Sequence, residues 1–349
     1  MKTNKLLRVA AGLGVCACLP LLMIQAQDGA APPDAPKAPD AAKKKMQRPP
    51  KPGVSTPGVK REMTTITPAA VFQVEGVPDW QVVTDDAVWV ANGPKNVIHR
   101  LDVKTNQVAA TIEVGKKPCS GLAAGFGSIW VPNCGDKTFS RVDVKTNAVV
   151  ATIPVGPADS EGGVATSPDA VWILSDPKGK LSRVDPKTNQ VAADVEVPAG
   201  SASCFYSDGM IWITSPEKNL LTRVNAKTNK LVDSIEVGPK PRFLTGGAGS
   251  IWTLNQGDGT VSRVDIKTGK LVGSVEVGVP GTGGEIAFGL GHVWVTAFQI
   301  PISEIDPATN KVVKQWVGDG GDSIRAAHGS VWLSNLRAHN IWRIDPKTL

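Results

Sequence analysis

Ile129-Trp130-Val131-Pro132-Asn133, followed by Gly135-Asp136, by Arg141-Val142-Asp143 and by Val150-Ala151-Thr152-Ile153-Pro154-Val155-Gly156, is one turn of a repeat that runs through most of the chain. Its tryptophan returns as Trp89, Trp130, Trp172, Trp212, Trp252, Trp294 and Trp332, at spacings of 38 to 42 residues. A period of roughly 40 residues, built of short apolar runs punctuated by Gly, Asp and Asn, is that of four-stranded blades arranged around an axis. The spacing predicts an all-β fold, a seven-bladed β-propeller of four-stranded blades over 66–349. Because blades share faces, the 349 residues need not divide into two folded domains.

Within the quoted unit, Cys119 to Ala124 is a small-residue inner strand, suited to the crowded axis. Ile129–Pro132 is the second strand, Thr138–Val142 the third and Ala148–Val155 the outer one. The Asp-x-Lys-Thr-Asn turn recurs at 102–106, 143–147 and 185–189, with variants at 225–229, 265–269 and 306–310. Asp accepts from amides two residues on, and Asn or Gly tolerates the left-handed conformation that ends such a turn, so the motif reads as hairpin chemistry. Trp in the second strand fills the wedge between sheets. Arg100, Arg141, Arg183, Arg223, Arg263 and Arg343 recur in the third strand, with Glu304 breaking the series. Their stems are expected between blades and their heads on turn carbonyls or carboxylates. The seventh unit stops after its third strand at Asn340–Asp345, while 68–76 has the outer-strand pattern. The N-terminal strand is therefore expected to complete the last blade and remove both free edges.

Upstream of the repeats, Lys2, Lys5 and Arg8 precede an apolar run from Val9 to Ile24 and a small residue at Ala26, which reads as a signal peptide over 1–26. Cys18 within it makes a lipoprotein anchor the lesser option. Residues 27–65 are rich in Ala, Pro and Lys and read as a disordered tether. Lys and Arg total 38 against 32 Asp and Glu, but 11 of those cations and only four acids precede residue 66. The propeller is thus near neutral, which argues against a nucleic-acid partner. A periplasmic or secreted monomer follows, with no transmembrane segment once the signal is cleaved.

Repetition encodes scaffold, so functional residues are sought where equivalent positions differ. The starts of the inner strands gather around the channel mouth, together with the loops that leave the second strands. They read Asp79-Trp80, Cys119-Ser120, Glu161-Gly162, Ser201-Ala202, Arg242-Phe243, Gly284-Glu285 and Asp322-Ser323, with Arg325 slightly deeper. Asp79, Trp80, Glu161, Arg242, Phe243, Glu285, Asp322 and Arg325 are the candidate ligand-binding set. Converging acids can hold a hard cation such as Mg²⁺ or Ca²⁺, orient a cationic ligand, or do acid–base work once their pKa values are driven apart. No other cofactor is called for. The second strands end in Asn92, Asn133, Ser175, Ser215, Asn255, Ala297 and Asn335, which read as turn caps. Cys119 and Cys134 face one another across a hairpin and are expected to form a disulfide, leaving Cys204 as a buried thiol. No histidine stands at the start of an inner strand, and there is no nucleophile elbow, phosphate loop or HExxH.

The Trp130–Asn133 and Val150–Gly156 strands resemble those of the YVTN group of secreted propellers. The segment Leu181–Thr188 looks equally like streptogramin (virginiamycin B) lyase propellers. The resemblance covers about 66–349. The lyase resemblance implies metal-assisted elimination opening a cyclic depsipeptide, with a His and a Glu near the mouth; Glu285 or Glu161 would match the acid. Two functions are therefore carried forward. One is an exported propeller that binds a small molecule or a peptide or protein at the mouth without catalysis. The other is a metal-assisted lyase or hydrolase, with Glu285 as base and Arg242 stabilising developing negative charge.

Overall fold

Residues 51–159 and 161–349 are described by a computed structural model of the chain. The expected signal peptide, with Cys16 and Cys18, and the first part of the expected tether lie outside the described residues.

Seven antiparallel sheets follow one another along the chain, at 78–113, 123–153, 164–196, 204–236, 241–276, 285–317 and 324–344, called blades 1 to 7 below. In each the strands run in sequence order from the axis outward. The outer strand of blade 7 is Ala70–Gln73, paired antiparallel with Asn340–Ile344 (Ala70 opposite Arg343, Gln73 opposite Asn340). Phe72 of that strand is buried against the Trp332 ring at 5.7 Å.

The repeated residues do what the period requires. All seven tryptophans are buried between sheets, and each indole N–H is satisfied locally, as in Trp130 Nε1 to Gly125 O at 3.1 Å. Close packing at the axis explains the small inner-strand residues: a Cβ on Gly247 would stand 2.0 Å from the Phe288 ring of the next blade. Directly across from six of the seven Trp, all but Trp294, which faces Glu304, the third-strand Arg lies over the indole, at 4.7 Å for Arg263 on Trp252 and 5.0 Å for Arg141 on Trp130. In Arg100, Arg141, Arg263 and Arg343 the head then crosses to the following blade, whereas Arg183 and Arg223 pair with Asp169 and Asp233 of their own blades. Arg141 donates to Pro186 O and Asn189 Oδ1, Arg263 to Pro307 O and Asn310 Oδ1, and Arg343 to Val103 O and Asn106 Oδ1. These acceptors sit in the Asp-x-Lys-Thr-Asn turns, whose final Asn is left-handed (φ 58° at Asn189). The turn is thus both a hairpin end and the socket for the neighbouring blade's arginine.

Residues 51–65, expected as the end of a disordered tether, are folded. Lys60–Glu62 adds a fifth strand, parallel to Gln315–Val317, at the edge of blade 6. Val54, Met63 and Ile66 are buried. The Lys- and Pro-rich composition hid three well-spaced apolar residues that a preformed groove can take up. Among the described residues, no helix is long and apolar enough to cross a membrane.

Candidate functional site

The chain enters each inner strand from one face of the ring and leaves each second strand toward it. At that mouth, blades 1, 6 and 7 meet the connection that precedes blade 3. Asp79 and Trp80 belong to the strand Pro78–Val83, whose pairing slips between Pro78 and Gln81. Glu285 begins the inner strand of blade 6, opposite Thr296. Asp322 and Ser323 precede the inner strand of blade 7, and Glu161 lies just before Val164–Thr166. These residues line a cavity of about 340 Å³ together with Thr282, Gly283, Gly284, Phe298 and Leu336.

Each carboxyl has a different fate. Glu285 is buried and held by Ser323 Oγ at 2.5 Å, Ile324 N at 3.1 Å and Arg325 Nη1 at 2.5 Å. Asp79 and Asp322, from blades 1 and 7, are hydrogen-bonded to one another. Burial, then the Asp322 charge beside it, holds the Asp79 carboxyl well above the usual carboxylate range. Burial lifts Asp322 to about 6. Glu161 is pushed up to about 7, mainly by burial, although the Arg242 charge pulls the other way. Two acids that share one hydrogen bond, with a third nearby, separate into proton-holding and proton-losing members.

Of the eight candidate ligand-binding residues, five line the cavity: Asp79, Trp80, Glu161, Glu285 and Asp322. The other three stand behind it. Phe243 is buried and packs on the cavity-lining Trp80, ring centroids 5.5 Å apart. Arg242 lies over the Phe243 ring and is paired with Asp159 at 2.9 Å. Arg325 is bound to Glu285. Both residues nominated for catalysis, Glu285 and Arg242, therefore have partners within the protein. Phe298, Leu336, Thr282 and Gly283 were missed, although Phe298 and Leu336 directly follow the second-strand ends Ala297 and Asn335. Asp159 was missed too. The second-strand ends themselves cap turns, as Asn133 does by donating to Thr138 Oγ1 and Ser140 Oγ.

Cys119 and Cys134 form a disulfide with Cα atoms 5.8 Å apart, and Cys204 is a buried free thiol. His99 is buried between Asn92 and Thr111, and desolvation lowers its pKa to about 4. His328 packs against Thr84 O, His339 against Gly76 O and His292 beside Glu304, so none lines the cavity. Among the described residues no three His, Cys, Asp or Glu are grouped to hold a metal ion.

No protein-family model matches the sequence, and no curated protein matches it significantly. Solved structures do resemble the fold. A streptogramin B lyase superposes with a TM-score of 0.67 at 18% identity, over 78% of this chain and 95% of that one. A catalytically inactive virginiamycin B lyase from Staphylococcus aureus, with quinupristin, gives 0.67 at 15% identity over 78% and 97%. A computationally designed protein gives 0.61 at 13% identity over 78% and 99%, so the likeness is one of architecture. The chain has the fold of a streptogramin lyase-like propeller.

Proposed function

We propose that this protein is exported and binds a small organic cation at the channel mouth without transforming it. The carrying observation is the cavity itself. Asp79, Asp322 and Glu161 face it beside Trp80 and Phe298, while the guanidinium groups of Arg242 and Arg325 are paired with Asp159 and Glu285 and that of Arg337 lies over the Phe298 ring. A cation with an apolar body satisfies the acids and the rings together. It binds as a monomer's ligand, outside the cytosol. The 1–26 pattern and the Cys119–Cys134 disulfide support that location.

The test is calorimetric titration with tyramine, an aromatic monocation small enough for the cavity, between pH 5.5 and 8. Affinity should rise about tenfold as Asp322 and Glu161 lose their protons, and should be lost in Glu161→Gln combined with Asp322→Asn. Binding that is unchanged in the double variant would overturn this reading, as would a preference for anionic analogues.

A lyase is the second reading, favoured by the shared fold and by the Asp79–Asp322 pair. The acid–base work would then fall to that pair rather than to Glu285. Opening of a cyclic depsipeptide to its linear elimination product, abolished by Asp79→Asn, would decide for it.

A further inference from the structure

Blade 6 departs from its neighbours along its outer strand. Opposite the middle of the third strand, blades 1 to 5 carry Thr111, Thr152, Asp194, Ser234 and Ser274. Blade 6 carries Gln315, followed by Trp316 where the others have Ile or Val. The longer side chain has a specific use. Fully buried, Gln315 accepts from Val54 N at 2.8 Å and donates to Val277 O at 3.0 Å and Ser303 Oγ at 2.9 Å. It thereby ties the N-terminal segment to the connection that leads into blade 6.

More contacts of that segment follow the same plan. Gly53 N donates to Gly278 O at 2.9 Å, and a Cβ on Gly278 would come within 2.2 Å of Gly53 O. Only glycine lets the two backbones approach this closely, and Gly278 also has a positive φ of 69°. Lys51 N donates to Gln299 Oε1 at 3.0 Å, and its ammonium reaches Thr282 O at 3.5 Å. Arg61 lies over the Trp316 ring, and the buried Met63 packs under Gly318 and Gly320. The segment thus grips both connections that flank blade 6. One runs into Thr282, Gly283, Gly284 and Glu285; the other runs into Asp322 and Ser323.

Covering a free sheet edge would be the simpler use of such a strand. It does not explain why, among the described residues, blade 6 alone is covered. Among the described residues nothing pairs with the outer strands of blades 2 and 5, although Val150 and Val272 are 53% and 54% exposed. We infer that residues 51–66 are a positioning strap for the mouth, holding the two connections that place Gly283, Gly284, Glu285 and Asp322, with Gln315 as the residue through which it acts. The consequence for affinity rests on the cation-binding reading; the consequence for the connections does not.

The test uses the full chain carrying Gly278→Ala or Gln315→Leu and follows amide hydrogen exchange by mass spectrometry. Exchange over 279–284 and 319–323 should rise about tenfold, with blades 2 to 4 unchanged. Carboxyl NMR should show the Asp322 titration, at about 6 in the parent, falling toward the ordinary range as its connection loosens and takes up water. Faster exchange in 53–62 with both connections and the Asp322 titration unmoved would overturn the inference and leave the segment as an edge cover. Should either variant fail to fold, Met63→Ala tests the second connection, with about threefold faster exchange expected over 319–323. None of these readouts requires a ligand, so a failed tyramine titration would leave them intact.

Discussion

Blade 2 and blade 6 share one strand plan and differ in nearly every device laid upon it. In blade 2, Arg141 stacks on Trp130 and crosses to the turn of blade 3. In blade 6 the same position is Glu304, buried beside His292 at 3.4 Å, with Lys314 Nζ 3.8 Å away and beyond hydrogen-bonding distance. Blade 2 closes its mouth-side hairpin with a disulfide, whereas blade 6 opens its own with Phe298, Gln299 and a glycine-rich approach. Among the described residues no further strand pairs with the outer strand of blade 2, whereas blade 6 is strapped. The regular blade contributes nothing to the cavity lining, while the irregular one supplies Glu285, Phe298 and the Thr282–Gly284 wall. In a repeat protein the scaffold is stabilised by what recurs, and a site is built where a blade gives up recurring contacts.

This contrast can be broken from the scaffold side first. Trp130→Ala should cost about 4 kcal/mol, read as a cooperative loss of stability in denaturant melts, because a fully buried ring and its arginine stack are lost together. A local effect confined to blade 2 would show that the blades are less coupled than their shared faces indicate. Removing the disulfide with Cys119→Ser and Cys134→Ser should cost ~3 kcal/mol, the closure entropy of a loop of about 15 residues, without changing the cavity. Tyramine affinity equal to the parent's would check the second half of that statement.

The site side is sharpened by pH. Glu161 and Asp322 titrate above their ordinary values, so the folded protein holds more protons than the unfolded chain between the ordinary carboxylate range and about pH 7. Stability should therefore fall as pH rises through that window and level off above it. Glu161→Gln should flatten the fall and raise Tm at pH 8 by roughly 5 °C, measured calorimetrically. The smallest effect expected is that of Arg141→Ala, about 1 to 2 kcal/mol, since the turn carbonyls it leaves can turn to water. An equal cost for Glu304→Ala would remove the distinction between the two blades.

Much of this was legible before folding. The Trp spacing, the Asp-x-Lys-Thr-Asn turns and the third-strand arginines are periodic, and periodicity survives in one dimension. So is the ring of inner-strand starts, which contained seven of the residues that line the cavity, five of them in the candidate ligand-binding set. Phe298 and Leu336 escaped although each stands four residues after its Trp, because the second-strand ends beside them read as turn caps. The pairings escaped for another reason. Arg242 and Asp159 are separated by 83 residues, and only closure of the ring brings them together. The strap was hidden because Gly53, Val54 and Met63 are unremarkable until Gly278, Gln315 and Gly318 surround them.

From local pattern alone came seven blades, their strand order, the disulfide between neighbouring strands and the face on which to search. Those features depend on residues close in sequence or repeated at a constant interval. Which acids share a proton, which arginines are already engaged and which segment holds the mouth were decided only in three dimensions. Burial and charge proximity depend on distances between blades far apart in the chain, and these follow from ring closure rather than from any stretch of sequence.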